Sequence, residues 1–248
     1  MELKEYLDYV VTYLKDYASK CGAKGYVLGL SGGVDSSLTA ALAKKAVGKE
    51  NLMTLIMPID SLKIDEDDAI KVAEYLDLNY LIIPQDKAYK EMLNSFSYLS
   101  LDLNTATKAN MKARLRMTTL YAYAQHHGYL VLGTDNKDER YTGYFTKFGD
   151  GAADVYPLVH LLKKEVVEGA KIFNLPSFLA ERVPSAGLFQ GQTDEMELGL
   201  TYQEIDDYLL GKSIAKESEE RLLRLHQISE HKRAPIACPS DYNRNEEK

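Results

Sequence analysis

The sequence predicts an α/β protein built on a doubly wound parallel sheet, with a helical C-terminal part. Three observations carry this. Short, continuous apolar runs of strand length alternate with segments of helical periodicity through the first 132 residues. The runs lead into turns, of which those after the first and fourth are marked by glycine. Beyond Asp154 the strand-like runs stop and helical spacing alone remains.

The elements follow in order. Leu3, Tyr6, Leu7, Val10, Val11, Leu14 and Ala18 recur at helical spacing and form an amphipathic first helix. The apolar run 26–30 is the first strand, and Leu38, Ala41, Leu42 and Ala46 mark a helix closed by Gly48. A strand at 52–57, a helix at about 66–76 and a strand at 80–83 repeat the unit. A long helix at 105–127 precedes a fourth strand, 129–132, which runs into Gly133-Thr134. Further helices are expected at about 163–173, 202–210 and 217–231. The polar, glycine-containing stretch 184–200 shows no periodicity and reads as a loop able to act as a lid, and the tail from about 239 to 248 reads as frayed. Residues 1–248 are expected to form one domain.

Composition narrows the function. With 45% hydrophobic and 27% charged residues the chain is an ordinary globular protein. A net charge of -7 argues against a broad nucleic-acid or anionic-membrane surface, although a few converging cations could still receive an anionic substrate. Cys21 and Cys238 match no metal-ligand spacing and suit a reducing compartment. The N-terminal residues mix Glu, Lys and Asp into the apolar pattern, unlike a signal peptide, and no apolar run approaches membrane-spanning length. A cytoplasmic protein is expected.

In parallel sheets, ligands gather beyond the strand C-termini where strand order reverses, which directs attention to residues 31–37 and 133–140. In Gly29-Leu30-Ser31-Gly32-Gly33-Val34-Asp35-Ser36-Ser37, paired glycines permit a tight turn that aims backbone N–H groups at an anion. The following helix adds its positive dipole end, and the serines add hydroxyls. A bare carboxylate at Asp35 would repel phosphate unless it held Mg²⁺; the alternative is a plain glycine-rich turn with Asp35 capping the helix. No Lys follows the second glycine, so this is not the Walker pattern.

The Ser31-Gly32-Gly33-Val34-Asp35-Ser36 run resembles the signature of the ATP-pyrophosphatase superfamily, whose members cleave ATP between the α- and β-phosphates and adenylate a substrate. A second block selects within it. Gly133-Thr134 through Glu139, then Gly143-Tyr144-Phe145-Thr146-Lys147-Phe148-Gly149-Asp150-Gly151, is similar to the signature of NAD synthetases. The likeness extends through Lys112 to Met117, Pro184 to Leu188, Gly191 to Glu195 and His231-Lys232-Arg233.

The resemblance implies an adenine-nucleotide alpha-hydrolase-like fold. It places ATP on Gly29, Leu30, Ser31, Gly32, Gly33, Val34, Asp35, Ser36, Thr134, Lys163 and Ser185, and Mg²⁺ on Asp35 and Glu139. It places deamido-NAD on Asn110, Arg114, Lys147, Asp154, His231 and Lys232, with Glu197 a weaker member of that set. It implies a homodimer, for which the long helix 105–127 has apolar residues to spare. One departure stands out: the segment 57–64 lacks the Gly and Gln of the family's Pro-x-Gly-x-Gln-like loop and is a residue longer, so no ATP contact is assigned to it.

The implied reaction is adenylation of the nicotinate carboxylate by ATP, then attack by ammonia to give NAD⁺ and AMP. Lys163 would neutralise charge in the first step, and Asp150 is assigned to ammonium on position and charge; its alternative is an ordinary Gly-Asp-Gly turn residue. Ammonia is expected as nitrogen donor, because this length leaves no room for an amidase domain and neither cysteine lies in an activating motif. The competing readings are another amidating ligase of GMP-synthetase type and a non-catalytic nucleotide sensor. Retention of both Asp35 and Glu139 speaks against the sensor.

Overall fold

Four parallel strands form the centre of the computed structural model, which describes residues 1–61, 63–181 and 193–240. The order is β3 (Tyr80–Ile82), β2 (Leu52–Ile56), β1 (Gly25–Gly29), β4 (Tyr129–Val131). Val27 of β1 is in register with Met53 of β2 and with Val131 of β4. Strand order therefore reverses between β1 and β4, and the loops leaving these two strands lie side by side.

Residue alternation along the strands explains the two covered faces. Tyr26, Leu28 and Leu30 point to one face with Leu52 and Ile56, where α1 (Leu3–Lys20), α2 (Val34–Val47), α3 (Lys63–Tyr75) and α7 (Lys163–Ile172) pack. The α2 helix is buried nearly all round, and small residues such as Ala40, Ala43 and Thr39 let it sit between its neighbours. Val27, Leu55 and Val131 point to the opposite face, against Leu120, Tyr121, Tyr123 and Ala124 of α5 (Thr105–His127). The helix α4 (Asp86–Ser97) packs Tyr89 onto Met111 of α5 and onto Ile59.

The helical C-terminal part has its own small core. Leu198 of α9 (Asp194–Leu198), Tyr202 and Ile205 of α10 (Tyr202–Leu209) and Leu222 of α11 (Lys216–Ile228) meet Tyr141 of α6 (Lys137–Thr142). Two further short helices, α8 (Phe178–Glu181) and α12 (Glu230–Arg233), complete the fold.

Element bounds match the sequence expectations within three residues, with three exceptions. Four helices, α4, α6, α8 and α9, were not anticipated, the last three being short. The single helix expected at 217–231 breaks into α11 and α12 at Ser229, whose hydroxyl donates to Leu225 O at 2.6 Å and so competes with the helical ladder. The stretch 184–200 is not aperiodic throughout: Thr193 accepts from Met196 N and Gly199 closes α9, while Leu198 and Leu200 are buried. Residues 184–192 of the expected lid, like the tail 241–248, lie outside the described residues.

Both cysteines are exposed and unpaired. Among the described residues no helix is long and apolar enough to cross a membrane.

Candidate active site

The two adjacent strand ends open into a cleft of about 840 Å³. Its phosphate-loop wall is preorganised by its own serines. Ser36 Oγ donates to Gly33 O at 3.1 Å, Ser31 Oγ lies 3.0 Å from Ser36 Oγ, and Gly33 N donates to Ser31 Oγ at 3.2 Å. Ser37 is turned inward, donating to Gly33 O at 2.7 Å. Gly32 is required for a reason other than anion contact. Its φ is +77°, and a Cβ there would sit 2.8 Å from Ala69 N. It backs onto α3, and neither it nor Val34 lines the cleft, whereas Gly29, Leu30, Ser31, Gly33, Asp35 and Ser36 do.

The second wall is built by α6. Asn136 caps it in a reciprocal box: Asn136 Oδ1 accepts from Glu139 N and Glu139 Oε2 accepts from Asn136 N, both at 3.0 Å. The remaining Asn136 amide donates to Asp35 Oδ1 at 2.9 Å, fastening the β4 loop to the β1 loop. From α7, Lys163 enters the space between the two carboxylates, with Nζ 2.5 Å from Asp35 Oδ2 and 3.9 Å from Glu139 Oε1. Burial opposes the Lys163 charge, but Asp35 and Glu139 outweigh it and its pKa is raised. Burial and the neighbouring Asp35 charge raise Glu139 well above the usual carboxylate range, against the pull of Lys163. Two carboxylates and one ammonium thus face a single point, an oxygen donor pair fit for one hard cation.

The far end of the cleft is lined by Asn110, Thr146, Asp150 and Lys232. Thr146 Oγ1 donates to Asn110 Oδ1 at 2.6 Å and Thr146 N to Asp150 Oδ1 at 2.9 Å. Asp150 has protein on most sides but opens onto the cleft as an exposed residue; its pKa is raised by burial, an effect that contact with water tempers. Lys232 Nζ donates to Gly143 O and Phe145 O, each at 2.7 Å, and burial lowers its pKa.

The expected substrate residues divide. Arg114, Lys147 and His231 cluster beside the cleft without lining it. Arg114 Nη2 donates to Lys147 O at 3.3 Å, and Lys147 Nζ donates to His231 O. Asp154 is not brought to the cleft: its Oδ2 accepts from Val131 N at 2.7 Å, so it secures β4. Thr134 and Glu197 line the cleft, the latter accepting from Tyr144 OH at 2.5 Å. Ser185 lies outside the described residues.

Of the segment 57–64, to which no ATP contact is assigned, Met57, Pro58 and Ser61 line the cleft. Arg116 holds them, Nε donating to Met57 O at 3.0 Å and Nη2 to Ser61 Oγ at 3.4 Å. Sequence reasoning also missed Asn136, Asp135 and Asp194. Asp135 is buried in the cleft wall, 3.5 Å from Arg140, with its pKa well raised by burial. Asp194 is 4% exposed and lines the cleft from α9; the capping Thr193 and closing Gly199 were the signal that could have found its helix.

Comparison with known proteins agrees with this architecture over almost its whole length. A family model described as NAD synthase matches residues 6–236. The NH(3)-dependent NAD(+) synthetase of Mesoplasma florum is 48% identical, the match covering 98% of this chain and all of that protein. The enzyme of the same name from Mycoplasma genitalium is 43% identical over 97% of this chain and 98% of its own. Among solved structures, the NMN synthetase from Francisella tularensis superposes with a TM-score of 0.92 at 44% identity, covering 97% of this chain and 100% of that one. A reversed strand order that joins a serine–glycine loop to a carboxylate on the neighbouring strand's loop accompanies these full-length matches, which show that the chain belongs to the NAD synthase family.

Proposed function

We propose that this chain is an ammonia-dependent NAD synthetase that amidates the nicotinate carboxylate of deamido-NAD at the cost of ATP, releasing pyrophosphate and AMP. The observation that carries the reading is the convergence of the Ser31–Ser36 loop, Asp35, Glu139 and Lys163 at one end of one cleft. The names of the curated relatives support it.

A carboxylate resists amidation because its leaving group would be oxide, and transfer to AMP supplies a better one. In this reading the loop N–H groups and the α2 N-terminus cradle the ATP phosphates. Lys163, buried and cationic, stabilises charge that develops on the α-phosphate during attack. The Asp35 and Glu139 carboxylates would hold Mg²⁺, which neutralises phosphate oxygens when bound. The nicotinate nucleotide occupies the end lined by Asn110, Thr146 and Lys232, with Arg114, Lys147 and His231 beside it to meet its phosphates. Asp150 opens onto that end and receives ammonium close to the activated carbonyl. Its raised pKa lets it take up the proton that ammonium must shed before attack.

The structural neighbour titled NMN synthetase favours a second reading, in which the nicotinate mononucleotide is the substrate. AMP and amide formation measured with deamido-NAD or the mononucleotide, omitting ATP, ammonium and Mg²⁺ in turn, tests both. Turnover of deamido-NAD at the higher kcat/KM is expected. Preference for the mononucleotide would replace the substrate, and no AMP with either would sink the ligase reading. Homodimerisation is part of the same proposal and rests on the likeness to the family alone. Light scattering should give a dimer mass at micromolar concentration.

A further inference from the structure

The Lys163 ammonium and a divalent cation would compete for Asp35. At 2.5 Å the ammonium already occupies Asp35 Oδ2, and it points toward Glu139 as well. A divalent cation on those two carboxylates would face a like charge in a largely buried site, where repulsion is weakly screened. Repulsion would favour a different seat for the ammonium, while the backbone is tied down: Lys163 N, at the first turn of α7, donates to the buried Asp138 Oδ2 at 3.1 Å. Only its flexible four-carbon stem can swing.

Asp194 offers a second acceptor. Its Oδ2 is fixed by Tyr202 OH at 3.0 Å and the Tyr144 hydroxyl also favours the carboxylate, while Oδ1 is buried with no close hydrogen-bond partner among the described residues. A carboxylate oxygen left so is costly unless a cation visits it. The route is marked. Lys163 Nζ already lies 5.0 Å from the centroid of the Tyr202 ring, whose hydroxyl holds Asp194. Among the described residues no three acidic, histidine or cysteine side chains converge as a metal cage, so Asp194 stands apart from the Asp35–Glu139 pair.

We propose that Asp194 is a positioning residue, the second seat of the Lys163 ammonium, taken when a divalent cation claims Asp35 and Glu139. The inference rests on the metal role given to those two carboxylates above. It makes cation binding and lysine placement one event: loading the metal delivers the lysine to the α9 side of the cleft, poised to return to the phosphates when ATP enters.

The test is Mn²⁺ affinity of the full chain without nucleotide, read by electron paramagnetic resonance of free Mn²⁺. Asp194→Asn, which keeps an acceptor for Tyr202, should weaken Mn²⁺ binding about tenfold, a typical coupling between linked sites. Asp194→Glu should recover most of the loss. Lys163→Met should bind Mn²⁺ at least as tightly as the parent, and Asp194→Asn added to it should change the affinity less than about twofold. An equal loss in both backgrounds would make Asp194 a direct metal ligand and overturn the proposal, as would no loss with Lys163 present. If the parent binds no Mn²⁺ with or without ATP, the metal reading itself falls, and this inference with it.

Discussion

Asp138 and Glu139 are consecutive in one short helix, yet they inhabit opposite regions of the molecule. Glu139 faces the cleft and is answered by the Lys163 ammonium. Asp138 faces backward, fully buried, beside Asp206 of α10, and one oxygen on each of these carboxyls has no hydrogen-bond partner among the described residues. Burial first, and the Asp206 charge second, push Asp138 up to about 8. One acid has a cation facing it in the cleft, the other a second acid beside it. The difference teaches that the site is built in two tiers: a charged tier for the chemistry, and a neutral tier behind it that fixes the backbone of Lys163.

The comparison can be broken from either side. The largest effect is expected in the charged tier. Asp35→Asn should lower pyrophosphate release on the order of 10²–10³-fold, the scale for removing one electrostatic group, while the melting temperature changes by only a few degrees. Unchanged turnover would remove Asp35 from the chemistry. The opposite pattern is expected behind it. Asp138→Ala should cost about 1–3 kcal/mol in urea unfolding, by leaving the Lys163 N–H without its acceptor, and should reduce activity less than Asp35→Asn does. Full stability would show that the neutral tier holds nothing.

A pH series sharpens the distinction further. Asp138 has its ordinary value of 3.8 in the unfolded chain and about 8 when folded. Between these values the folded protein keeps a proton that the unfolded chain has lost, so stability is complete at low pH and declines as pH rises toward 8. Urea midpoints should correspond to a loss of more than about 1 kcal/mol from pH 5 to pH 8. The smallest effect belongs to Asp206→Asn, which removes the second charge: stability at pH 5 should stay close to the parent, and the slope should flatten. A slope that survives the substitution would assign the proton to another group.

The charged tier was legible in the sequence and the neutral one was not. Asp35 and Glu139 stand in glycine-marked turns after apolar strands, and strand alternation alone puts such turns at one edge of a sheet. Asp138 and Asp206 are 68 residues apart (206 − 138), and nothing local announces that α10 will bring them together. Asp154 accepts from a backbone N–H on the preceding strand, a tie to the sheet that its place in the chain did not announce. The α9 helix was overlooked because five residues are too few to display a period, although its caps were in view. Arg116 lies inside the Lys112–Met117 likeness with no task readable there, since its two acceptors, Met57 O and Ser61 Oγ, come from a loop that departs from the family pattern.

The grip of Lys232 on the carbonyls of Gly143 and Phe145 has a consequence in time. A ribosome releases the phosphate loop early and α12 late, because chains emerge from the N-terminus onward. Gly143 itself has φ +71° and meets Ser229 so closely that a Cβ would lie 2.1 Å from that side chain, so the turn after α6 is shaped by residues not yet made when it emerges. The turn that closes the far end of the cleft therefore takes its final shape only once α11 and α12 have been made.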